Sequence, residues 1–146
     1  MTRSLLAVAS LVAAGFAWIV TTGGLERGAR AERGKPSIAD FMQVVHGPGG
    51  LRVQLQESLA GSGPADENAW KTVAARASVI AFLTEAVLAG SRPRKGDLPS
   101  WKAKVEAYGQ TVSKLASAAA KRDLPAAKEQ SAELAKSCRD CHKAHK

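Results

Sequence analysis

The sequence predicts an all-α protein: an up-down four-helix bundle that follows an N-terminal export or anchor segment. Three observations carry this reading. Apolar residues recur at intervals of three and four along separate stretches downstream of Pro36, the period of a single helix face. Glycine and proline clusters divide those stretches, and no strand-like alternation competes with them. The composition is 45% hydrophobic but only 5% aromatic, so alanine-rich helices bury little area singly and must complete a core together. Short connections between such helices make neighbours antiparallel.

Taken in order, residues 1–22 hold one cation, Arg3, then an uncharged apolar run from Ser4 to Val20, the pattern of a signal peptide. No small-x-small cleavage site follows Val20. The run is also near the lower length limit for crossing a bilayer, so a signal anchor tethering the chain through residues 4–20 stands beside the cleaved leader. Residues 23–35 mix charges and glycines without an apolar face and read as a flexible linker. The bundle then occupies residues 36–146.

Pro36 suits a first helical turn, and Ile38, Phe41, Met42 and Val45 follow at helical spacing. That helix must stop or kink at His46-Gly47-Pro48-Gly49-Gly50. Leu51, Leu55 and Leu59 form a short stripe before Gly61-Ser62-Gly63-Pro64. From about Asp66 to Ala89, Trp70, Val73, Ala77, Ile80, Thr84 and Val87 share a face. Asp97-Leu98-Pro99 then carries an N-cap signal, and Trp101, Val105, Tyr108, Val112, Leu115 and Ala119 repeat as a bundle seam. Trp70, Trp101 and Phe82 read as plain core. Asp123-Leu124-Pro125 repeats the start signal, and Ala127, Ser131, Leu134, Cys138 and His142 lie along one face. Late cations on this last helix, Lys136, Arg139 and Lys143, complement its dipole.

That last helix carries Cys138-Arg-Asp-Cys141-His142, with the only two cysteines in the chain. Cys-x-x-Cys-His is the attachment signature of c-type haem. Two thiols on one side of a helical turn can each form a thioether to a haem vinyl group, and the adjacent His142 is delivered as proximal iron ligand. A redox Cys-x-x-Cys belongs near a βαβ pattern, and a zinc site needs about four well-spaced ligands. Neither fits a helical tail in which His145 reads as an exposed end residue. One covalent haem c is therefore the expected cofactor, and its flat body would fill part of the core.

With Cys138-x-x-Cys141-His142 in the last of four helical patterns, residues 36–146 resemble the cytochrome c′ family, including low-spin members with a methionine ligand. The resemblance implies a distal position filled from the middle of the first helix, where Met42 is the matching residue. His46, four residues on, stands on the same face, so Met42, His46 or an open distal site all remain in play. The family also implies a homodimer through the first helices, an expectation that the kink after His46 weakens.

Export, covalent haem and the lack of a catalytic constellation point away from an enzyme and toward single-electron transfer between redox partners. Peroxidase chemistry would want a distal acid–base group, for which His46 is the sole candidate. A five-coordinate haem module that binds nitric oxide or carbon monoxide is the alternative. The expected location is periplasmic or otherwise extracytoplasmic, with or without a membrane tether. A net charge of +8 favours acidic partner proteins, whereas nucleic acid fits neither the address nor the pattern of basic and aromatic residues.

Overall fold

Helix α1, Ile38–Phe41, begins at Ser37, whose side-chain oxygen accepts from the Asp40 amide while the Asp40 carboxylate accepts from the Ser37 amide. This capping box places Pro36 before the helix rather than in its first turn. In the computed structural model, which describes residues 34–145, α1 runs directly into a π-helical turn, Met42–His46. The export or anchor segment and most of the linker lie outside the described residues. The kink expected after His46 is present. Gly50 is buried there, and a Cβ on it would lie within 3 Å of the Val44, Val45 and Gly47 carbonyl oxygens, so only glycine lets the chain fold back so tightly. Helix α2, Leu51–Ser58, follows and completes the broken first arm.

Helix α3, Glu67–Leu83, is capped by Asp66 and ends in a second π-helical turn, Thr84–Leu88. At that junction the buried Thr84 hydroxyl donates to the Ile80 carbonyl at 2.8 Å, competing with the regular ladder where the helix widens. Helix α4, Leu98–Ala120, starts at Asp97, whose carboxylate accepts from the Ser100 amide at 2.7 Å. Asp123 accepts likewise from Ala126 at the start of α5, Leu124–His145.

These segments form an all-helical four-helix bundle, with no strand among the described residues. Helix α4 lies along both α3 and α5, α2 packs on α3, and α1 sits against the second π turn. The seam read from the sequence is the core: Val73, Ala77, Ile80, Thr84 and Val87 of the second arm face Trp101, Val105, Tyr108, Val112, Leu115 and Ala119 of α4. Leu134 and Ala127 of α5 close it. Two expectations fail. Phe82 is 67% exposed, because it lies on the face of α3 opposite the Val73–Ala77–Ile80 stripe. His145 is only 6% exposed, held between the start of α4 and the loop before it.

Candidate haem site

The bundle brings the last turns of α5 against the π turn of the first arm, and a cavity of about 420 Å³ lies between them. Cys138, Cys141 and His142 line it from α5, Met42 and His46 from the π turn, and Trp101, Lys104, Val105 and Tyr108 from α4. The candidate haem-binding residues Cys138, Cys141, His142, Met42 and His46 thus meet at one place. The turn is π-helical, closing i→i+5 where an α turn closes i→i+4, and Met42 and His46, four residues apart, both face the cavity from it.

Both cysteines are free thiols and half-buried. The Cys138 thiol donates to the Leu134 carbonyl at 3.1 Å and lies 3.7 Å from His46 Nδ1. Burial pushes both thiols up, with the nearby Arg52 cation opposing this at Cys138 and Lys104 opposing it at Cys141. His46 is held in an aromatic nest. Its Nε2 is 3.1 Å from the Tyr108 hydroxyl, and its ring centroid is 5.9 Å from those of both Phe41 and Tyr108. Burial, then the positive charge of Arg52, lowers the imidazole to about 4, so it is neutral near pH 7. A neutral imidazole can accept from Tyr108 or offer a lone pair to a metal. Desolvation drives the Tyr108 hydroxyl upward and keeps it a phenol.

The residues fit a haem. Two thiols at the required spacing share a cavity with His142 on the same helix and with two further donors across from it. Phe41, Leu88, Trp101 and Val105 supply apolar walls for a flat ring, and Arg52, Lys104 and Arg139 line the same cavity as cations suited to its carboxylates. His142 itself is exposed and reaches the cavity from its open side.

Sequence reasoning missed the contribution of α4. Tyr108 reads as plain seam, yet its hydroxyl fixes His46, and the buried indole of Trp101 lines the cavity while donating to the Leu88 carbonyl at 3.3 Å. The signal was Lys104, a cation three residues after Trp101 and four before Tyr108 on an otherwise apolar face.

The cytochrome c′ family model matches residues 96–146, which span α4 and α5 and include Cys138, Cys141 and His142. No curated protein and no solved structure matches the chain significantly. Over its last two helices the chain is therefore cytochrome c′-like, a family of haem-binding c-type cytochromes that are generally extracytoplasmic. Among the described residues no helix is long and apolar enough to cross a membrane.

Proposed function

We propose that this chain, cytochrome c′-like over residues 96–146, is an exported cytochrome that carries one covalent haem and passes single electrons between redox partners. The observation carrying this reading is the shared cavity: Cys138, Cys141 and His142 line it from α5, and Met42 and His46 line it from the first arm. Protein donors on two opposed elements are what a closed iron coordination requires.

In this reading Cys138 and Cys141 hold the ring through thioethers, His142 is the proximal ligand and Met42 the distal one, with His46 as the competing donor. When bound, haem supplies a one-electron iron couple. The chain's own contribution is to fix the donors on helices, which limits rearrangement when iron changes charge, and to exclude water with Phe41, Leu88 and Val105. A thioether donor favours ferrous iron and raises the potential, whereas a second imidazole leaves it lower. The net charge of +8 favours acidic partners and an association rate that falls with salt. Residues 1–22 supply the export signal.

Gas binding is the second reading, favoured by one observation: Tyr108 already occupies His46, so the distal side opens to small diatomic ligands if Met42 stays off the iron. Absorption spectra of the holoprotein, oxidised and reduced, with and without carbon monoxide, separate the two. Electron transfer predicts a low-spin spectrum unmoved by carbon monoxide, a near-red sulfur-to-iron band lost in Met42→Ala, and haem retained through a denaturing gel. A high-spin spectrum that takes the gas readily would put Met42 off the iron and gas binding first.

A further inference from the structure

Beside the haem cavity lies a second cleft of about 670 Å³, bounded by the start of α1, the Ser91–Arg94 stretch of the α3–α4 loop and the last turns of α5. It shares Met42, Trp101, Cys141 and His142 with the haem cavity. Whatever enters it comes against the very side chains that line the cofactor site. Its outer wall is cationic: Arg92 and Arg94 line the cleft, Lys95 follows them, and all three are exposed. None of these takes part in an ion pair among the described residues. The carboxylates of Asp40 and Asp97, at the helix starts bordering the cleft, are committed to backbone amides. On the adjacent turns of α5, Arg139 and Lys143 outweigh Asp140.

The loop bearing these cations is fixed. His145 Nδ1–H donates to the Lys95 carbonyl at 3.0 Å, its Nε2 lies 3.3 Å from the Ser100 hydroxyl, and its ring stands edge-on to Trp101 at 5.6 Å. The carbonyl accepts only, so Nδ1 carries the proton, and in the neutral ring Nε2 accepts from Ser100. Gly96, at φ +79°, closes against that ring. Cations on a pinned backbone spend little ordering entropy on meeting a partner.

We propose that this cleft is the docking site for a carboxylate-bearing segment of an acidic redox partner, which exchanges one electron with the haem across the shared wall. The proposal rests on the electron-transfer reading. A concave site fits a protruding peptide segment better than a planar headgroup surface, which favours a protein over a membrane.

The test uses the ferrous holoprotein and a hexaglutamate peptide carrying a terminal ferrocenium, with hexaglutamine as the neutral counterpart. In the reaction ferrous iron is oxidised to ferric and ferrocenium is reduced to ferrocene, one electron each. Three proteins are compared: wild type, Arg92→Glu/Arg94→Glu, and Lys114→Glu/Lys121→Glu, which makes the same charge change on α4 and just past its end, at exposed side chains in no ion pair among the described residues. Stopped-flow oxidation gives the rate, and calorimetric titration with unlabelled hexaglutamate gives binding. At low salt the acidic peptide is expected to react about tenfold faster than the neutral one, with the advantage erased in the first variant and kept within about twofold in the second. Binding should follow the same order. Equal loss in both variants would assign the effect to net charge and overturn the cleft. So would loss of binding to phosphatidylglycerol vesicles in Arg92→Glu/Arg94→Glu with the peptide advantage intact. Cleft-dependent peptide binding without oxidation by either peptide would instead uphold the site and remove the electron-transfer reading.

Discussion

Replacing Gly96 by alanine tests the seating of the last helix turn, and its cost can be worked from the structure. Gly96 sits at φ +79°, where an L side chain costs about 1–2 kcal/mol. The new Cβ would lie 2.5 Å from His145 Nδ1 and 2.8 Å from Cε1, so the ring must leave. Its departure forfeits the hydrogen bond to the Lys95 carbonyl, about 1 kcal/mol, and the edge contact with Trp101, about 0.5–1 kcal/mol. Lower entropy of the unfolded chain returns about 0.5 kcal/mol. The net loss is about 2–3.5 kcal/mol, and for a domain of this size the melting temperature should fall by about 10 °C or more. In a His145→Ala background the ring clash is gone and only the backbone strain and a 3.1 Å approach to the Ala144 carbonyl oxygen remain, so the same change should cost about 1–2 kcal/mol. Denaturant titrations of the four proteins give the cycle directly. Costs that add within about 0.3–0.5 kcal/mol would show that His145 is not seated on Gly96, and the pinned-loop argument would fall with it.

Leu134, 1% exposed at the centre of α5, should cost about 2–5 kcal/mol as alanine, read as a shift of the urea midpoint. In the haem-free chain His46 adds a pH dependence of definite sign. Its folded value, about 4, lies below the ordinary 6.5, so the unfolded chain binds the proton more readily and acid favours unfolding. This contribution is complete above about pH 6.5, declines as pH falls, and is gone below about 4. The urea midpoint should therefore drop more between pH 7 and pH 4.5 in the wild type than in His46→Gln; equal slopes would contradict it.

What the sequence made legible was whatever repeats along one helix. The α4 seam from Trp101 to Ala119 and the Cys138–His142 motif are local patterns, and both lie where periodicity and spacing put them. The exposure of Phe82 is itself a consequence of that periodicity: two residues from Ile80 is about 200° around a helix, away from the core stripe. His145 could not have been placed that way. Its partners Ser100 and Lys95 lie 45 and 50 residues earlier, and only the folded bundle brings a tail histidine to them. The Tyr108–His46 contact spans 62 residues and was hidden for the same reason.

The π turn at Met42–His46 takes up one residue more than an α turn of the same span. Removing one residue at Gln43 or Val44 would therefore let the turn rewind to α pitch with the segments on either side kept nearly in register. Phe41 and Met42 would still share a cavity with Cys138, and the change would fall on the turn alone. Variation along this lineage should thus tolerate a single-codon gap here more readily than within α5, where it would rotate Cys138 and His142 by about 100° against the core stripe.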